Sequence, residues 1–124
     1  MNIEDFRKYC LSFDGTHEGL PFEGFFHNAH SLLVFYVKEK MFCFFDVDKF
    51  DACTIKCDPD GIAELKARYK GVGEPYNLSP KYWISVEFNS DVPDKVLKEL
   101  VRKSYDLVVE GLPKKEREEV LEKK

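Results

Sequence analysis

The sequence contains no apolar run long enough to cross a bilayer. Its greasiest stretches, Leu32 to Val37 and Met41 to Phe45, are split by Lys38-Glu39-Lys40, and neither approaches the ~20 residues a membrane helix needs. The N-terminal Met-Asn-Ile-Glu-Asp-Phe-Arg-Lys lacks the apolar core and small-residue cleavage site of a secretory signal. A cytoplasmic chain is therefore expected. Cys10, Cys43, Cys53 and Cys57 could pair in three ways in an oxidising compartment, but reduced thiols follow from that location. Positive charge is also in short supply: 19 basic against 23 acidic residues give a formal charge of −4, so the whole chain exerts no long-range pull on a polyanion. Only 7 glycines and 6 prolines occur, which excludes collagen-like and low-complexity architectures. A Walker loop, a complete dinucleotide glycine pattern, His-Glu-x-x-His and a nucleophile elbow are all missing, and Gly71-Val72-Gly73 alone is too short to cradle phosphate. His17, His27 and His30 read as loop histidines. With no nucleophile set beside a base, neither an enzyme nor a cofactor is expected.

What remains is 124 residues with 44% apolar and 34% charged content, the profile of one globular domain over residues 1–124. No repeat or linker interrupts it, and a monomer is the expected state. Eleven Phe, six Tyr and one Trp make 15% of the chain, so large rings should supply much of the core energy.

Asn2 can cap a helix whose first turn holds Glu4 and Asp5, with Ile3, Phe6, Cys10 and Phe13 on one face. That helix should run to about Phe13 and stop at Asp14-Gly15, with a short edge strand near Glu18 to Phe22. Ser31–Val37 and Met41–Val47 read as a β-hairpin with a charged tip. In its second arm strict alternation puts Met41, Cys43 and Phe45 on one face and Phe42 and Phe44 on the other, so the strand should be central. Ala52 to Cys57 alternates as a half-buried strand. Asp58, Pro59 and Asp60 then form the clearest helix start in the chain. Ile62, Leu65 and Tyr69 are its stripe, and Gly71 is placed to close it. After a constrained loop, Tyr82–Phe88 alternates as the last strand. Pro93 opens a long helix with Leu97, Leu100, Val101, Ser104, Leu107 and Val108 in register, and Gly111-Leu112-Pro113 ends it. Residues 113–124, nine of twelve charged, form a short charged terminal helix or a frayed tail. The order is that of an α+β fold, a single layer of mainly antiparallel strands packed by N-terminal, middle and long C-terminal helices.

Two clusters invite a metal and neither fits one. Cys53-x-x-x-Cys57 places both thiols on one strand face roughly 13 Å apart, unlike the tight turns of structural zinc sites. Asp46, Asp48 and Asp51 lack the glycine turn and terminal glutamate of an EF-hand. Charge is more informative. Residues 56–103 are the only segment with a positive balance, +1, and there Lys66, Arg68, Lys70, Lys81, Lys95, Lys98, Arg102 and Lys103 could make a basic face, with Tyr76, Tyr82 and Trp83 available for stacking or for spanning a groove. The competing account is that Lys95–Glu99, Glu99–Lys103 and Arg102–Asp106 merely pair along a solvated helix.

The run Ile55-Lys56-Cys57-Asp58-Pro59, then Lys66 to Gly71, Pro75-Tyr76-Asn77-Leu78-Ser79-Pro80-Lys81-Tyr82-Trp83-Ile84-Ser85-Val86, and Ser104 to Val109 with Leu112-Pro113, resembles the MmcQ/YjbR-like family over nearly the whole chain. Helix one, Gly19-Leu20-Pro21-Phe22 and Lys40-Met41-Phe42 fall in the expected places. The resemblance implies a fold similar to frataxin/CyaY-like α+β domains and a double-wing arrangement that binds DNA. On it, residues 76–83 become the signature loop, Lys66, Arg68 and Lys81 its basic contributors, and Lys38 and Lys40 the tip of one wing. Where many members carry Tyr-His-Met-Asn-Lys, this chain has Tyr76-Asn77-Leu78-Ser79-Pro80, one histidine and one lysine fewer. The expected function is thus a DNA-binding domain contacting its target through Lys38, Lys40, Lys66, Arg68, Lys70, Tyr76, Asn77, Lys81, Tyr82 and Trp83. The alternative is a non-enzymatic module for a small molecule or a protein on the same fold. A third reading borrows the frataxin-like fold to have Asp46, Asp48 and Asp51 handle metal.

Overall fold

A computed structural model describes residues 1–19, 31–75 and 78–122. In chain order the elements are α1 (Ile3–Leu11), β1 (Thr16–Gly19), β2 (Leu32–Val37), β3 (Lys40–Asp46), β4 (Ala52–Lys56), α2 (Pro59–Arg68), β5 (Val72–Gly73), β6 (Trp83–Glu87), α3 (Asp94–Glu110) and α4 (Lys114–Glu122). The strands form one sheet in the order β1-β2-β3-β4-β6-β5, and every pairing is antiparallel. The expected α+β architecture is the one observed.

Several boundaries follow directly from local chemistry. The Asn2 side chain accepts from the Asp5 N–H and starts α1, and Asp58 accepts from the Asp60 N–H with Pro59 in the first turn of α2. Each such cap is worth about 1 kcal/mol. Other boundaries move. α1 ends at Leu11, and the edge strand begins at Thr16, where β1 pairs with β2; Leu20 to Phe22 lie outside the described residues. Gly71 does not close α2, which ends at Arg68 with an extended Tyr69 as its cap. Its role is close approach: a Cβ there would sit 2.3 Å from the Ser90 hydroxyl. The Asp91 carboxylate accepts from the N–H groups of Lys70 and Gly71 at 2.7 and 2.8 Å. That clamp lets the supposed loop add a two-residue strand, β5, to the edge of β6.

The alternation expected along β3 fails at one residue. Phe35 pairs with Cys43 and Tyr36 with Met41, so Phe42 is an extra residue in the ladder. This β-bulge sends both Phe42 and Cys43 to the helix face with Phe45, and leaves Met41 and Phe44 on the opposite face. Phe42 thereby takes the place in the main core that strict alternation would give Met41. Phe6 of α1 meets Phe35, Phe45 and Phe88 edge-on at centroid distances of 6.5, 5.5 and 4.8 Å, geometry that adds about 0.5–1.5 kcal/mol per pair to area burial. Cys10, Cys43 and Cys53 are fully buried in the same layer, and burial pushes the Cys43 thiol well above its ordinary range.

α3 lies over β3 and β4 and also repairs the bulge. Ser104, fully buried, donates its hydroxyl to the Phe42 carbonyl at 2.6 Å and accepts the Lys56 N–H at 2.8 Å. Tyr105 donates to the Asp14 carbonyl at 2.6 Å and ties α3 to the end of α1. The 113–124 segment contains α4, docked by Val120 over Gly15 and by a Lys38–Glu119 ion pair of 2.8 Å. Among the described residues no helix is long and apolar enough to cross a membrane.

Candidate nucleic-acid interface

Strand direction decides which candidate residues meet. β2 leaves its hairpin at Val37, β3 starts at Lys40, β4 finishes at Lys56 across from Trp83, and β6 starts there. The tip residues Lys38 and Lys40 and the segment Lys81-Tyr82-Trp83 therefore sit at the same end of the sheet. Two strand spacings, roughly 10 Å, separate β3 from β6. The Cys57 N–H donates to the Tyr82 carbonyl at 2.8 Å, which holds the start of β6 beside the end of β4.

α2 starts at that end and carries its own cations away from it. Lys66 reaches only the β5 margin, where Glu74 holds it at 2.8 Å. Arg68 and Lys70 lie at the far end, beside the Asp91 clamp, with the Arg68 guanidinium 5.5 Å over the Tyr69 ring. A five-residue strand such as β6 spans roughly 17 Å, so Arg68 and Lys70 share no face with Lys40 and Lys81. Tyr76 and Asn77 lie outside the described residues. Leu78 just after them touches the second apolar cluster of Leu32, Val34 and Phe44, which places Leu78 on the side of the sheet away from the helices.

Lys38 at the tip adopts φ 56°, and its ammonium is engaged by Glu119. The turn is only two residues long, because Val37 already pairs with Lys40. Lys40 and Lys81 are exposed, and Tyr82 is 43% exposed with the Lys81 ammonium 5.4 Å from its ring. Trp83 is half-buried on the side of the sheet away from the helices, not beneath α3. Its ladder partner Lys56 belongs to the same group and was missed by sequence reasoning. The signal that could have found it is the register that sets Lys56 opposite Trp83. At the other edge of this face His17 stacks on Tyr36 at 5.3 Å, and burial raises the Tyr36 phenol.

Charge on the sheet face away from the helices thus divides along the strands. Lys40, Lys56 and Lys81 mark one end, with Glu39 and Asp58 beside them. Asp46, Asp48 and Asp51 lie toward the other, in a groove of about 590 Å³ that has Lys49 as its one lysine and that Glu74 borders from mid-strand. Burial works against ionisation of Asp46, but the Ser31 hydroxyl at 3.0 Å and the N–H groups of Asp48 and Lys49 at 2.9 and 3.3 Å outweigh it and hold the carboxyl below its ordinary range. That carboxylate organises its own turn. Among the described residues no three His, Cys, Asp or Glu side chains converge closely enough to hold a metal ion; His27 and His30 fall outside them. Of the three expected pairs along α3, Arg102–Asp106 forms at 3.2 Å.

Comparison with known proteins gives consistent results. The family model described as YjbR matches residues 11–107. The uncharacterized protein YjbR of Escherichia coli K12 is 24% identical over 118 residues, covering 94% of this chain and 95% of its own length. The uncharacterized protein YbdF of Escherichia coli O157:H7 is 30% identical over 66 residues, 53% of this chain and about half of YbdF at 54%. Among solved structures, Deinococcus radiodurans protein DR2400, with a DUF419 domain, superposes with a TM-score of 0.82 at 30% identity, covering 96% of this chain and 87% of the other. A Pseudomonas syringae protein shares the fold with a TM-score of 0.70 at 22% identity, over 86% and 98% of the two chains.

Proposed function

This chain belongs to the YjbR family, and on that premise we propose that it is a small DNA-binding domain whose contact surface is the sheet end bearing Lys40, Lys56, Lys81, Tyr82 and Trp83. The observation that carries the reading is the segregation of charge along the strands: lysines and exposed aromatic surface gather where β3 begins, β4 ends and β6 begins, while Asp46, Asp48 and Asp51 occupy the groove toward the opposite end. A polyanion laid on the lysine end avoids the acidic one. Lysine donates to phosphate as a point charge, and Tyr82 and Trp83 offer ring faces that any base can stack on. The surface should accordingly bind with little sequence preference. Lys66, Arg68 and Lys70, and Lys38 so long as Glu119 holds it, take no part in this narrower surface.

Fluorescence anisotropy of a labelled random duplex, and of a matching single strand, tests it. Three phosphate contacts give a log–log salt slope of about −2.7, so affinity should fall about 40-fold between 50 and 200 mM salt. Lys81→Glu should weaken binding and flatten the slope by about one. Arg68→Glu and Lys70→Glu, at the far end of the sheet, should behave as wild type. Absence of binding at about 50 mM salt, or a Lys81→Glu titration matching wild type, overturns the reading and leaves a ligand- or protein-binding module on the same fold.

A further inference from the structure

α2 and α3 lie over the same end of the sheet without closing on each other. α3 buries Leu97, Leu100, Val101, Ser104, Tyr105 and Val108 against the sheet, whereas Leu107, which the sequence pattern assigns to that stripe, is only half-buried. It turns instead toward α2, whose Leu65 is half-buried as well. The two leucines, with Ile55 and Leu100 beneath them, line a cleft of about 510 Å³. That is the size of pockets that enclose small organic ligands on an apolar floor with a few polar groups at the mouth.

The mouth has a definite charge. α2 contributes Asp58 and Glu64, and α3 contributes Asp106 and Glu110, opposed by Lys103. Asp58 is committed to the Asp60 N–H at 2.9 Å and Asp106 to Arg102 at 3.2 Å. Glu64 and Glu110 have no ion-pair partner among the described residues and come from opposite walls. Lys56 also borders the cleft, but its ladder position beside Trp83 directs its side chain to the other face of the sheet. Cys57, the one cysteine that is not fully buried, lies within the same lining and donates its thiol to the Asp58 carbonyl at 3.6 Å.

We propose that this cleft binds a small amphipathic amine, its apolar body on Leu65, Leu100 and Leu107 and its ammonium at the acidic mouth that Glu64 and Glu110 border. The leucines supply hydrophobic contact and the unpaired carboxylates select the cation over an anion of the same shape. The cleft lies on the helix side of the same sheet end, with Lys56 at its border, and the proposal does not depend on DNA binding.

Tryptamine and indole-3-acetate are suitable probes because they carry one ring system and opposite charges. Cys57 reports from inside the cleft: its alkylation by neutral iodoacetamide in the intact folded protein should be slowed by tryptamine, saturating in the millimolar range expected of so small a ligand. Indole-3-acetate should not protect. Measured against its own ligand-free alkylation rate, the Glu64→Gln/Glu110→Gln variant should need about tenfold more tryptamine for protection, the loss expected when charge-assisted contacts are removed. Tryptamine should also raise the melting temperature, since it binds only the native state. Equal protection by amine and acid, undiminished protection in the double variant, or none by tryptamine would each overturn the proposal.

Discussion

Replacing Ser104 with alanine removes one hydroxyl from the only fully buried polar side chain among the described residues, and the consequence can be worked through atom by atom. The Phe42 carbonyl has been displaced from the β2–β3 ladder by the bulge and accepts the Ser104 hydroxyl at 2.6 Å; the Lys56 N–H at the end of β4 donates to the same oxygen at 2.8 Å. Alanine leaves both backbone groups without this partner, in a position sealed from water by α3. An orphaned buried group costs about 1–3 kcal/mol, and the Lys56 N–H is nearer solvent than the Phe42 carbonyl, so the pair should cost about 2–4 kcal/mol. For a domain of this size each kcal/mol lowers the melting temperature by about 3–6 °C. Urea denaturation should show the midpoint moving down with an unchanged slope, because the surface exposed on unfolding is the same. Amide exchange should locate the loss, with Lys56 protection falling more than that of Ile84 in the neighbouring strand. A Ser104→Ala protein within about 0.5 kcal/mol of wild type would refute the idea that α3 satisfies the bulge.

Tyr105→Phe deletes the hydrogen bond to the Asp14 carbonyl while keeping the ring against Phe13 and Phe42, and should cost about 0.5–1.5 kcal/mol in the same denaturation assay. Asp91 is held below its ordinary pKa of 3.8 first by the Lys70 N–H and then by that of Gly71. Its folded pKa is the lower one, so its stabilising effect is complete above the unfolded value and disappears as pH falls through the folded value. The stability gap between wild type and Asp91→Asn should therefore narrow as pH falls below about 5; a gap independent of pH would show that the carboxylate charge is not what clamps β5. Cysteine alkylation of the native protein should proceed at Cys57 alone, with Cys10, Cys43 and Cys53 reacting at the rate of unfolding. Rapid modification of a second thiol would contradict the packing of the core.

Features written in local chemistry are legible in the sequence itself. Asp58-Pro59-Asp60 starts α2 because the cap needs only its own next two residues, and the repeat from Leu97 to Val108 marks α3 because one face of a helix must stay apolar to be buried. The bulge at Phe42 is not legible there: Met41 to Phe45 is apolar throughout, so no polar residue marks where the parity of the strand slips. β5 escapes for a different reason, since a two-residue strand containing glycine has no period, and it is held by Asp91 from about twenty residues away. Leu107 satisfies the helical pattern but faces a cleft, because pattern alone does not say which neighbour a stripe will meet. At the candidate interface, residue type identifies Lys40, Lys81, Tyr82 and Trp83. Strand direction removes Arg68 and Lys70 from the group and adds Lys56, and strand direction is a property of topology rather than of composition.

The docking of α4 has a bearing on how the fold is assembled. Val120 covers Gly15, and Glu119 engages Lys38, so the turn after α1 and the tip of the first hairpin are both completed by residues made some eighty to a hundred positions later. A chain emerging vectorially during synthesis can build the hairpin early, but it must hold that turn and tip uncapped until the last helix arrives. Closing so long a loop is entropically demanding and belongs late on the folding route. Substitutions at Val120 should accordingly accelerate unfolding while leaving the refolding rate nearly untouched.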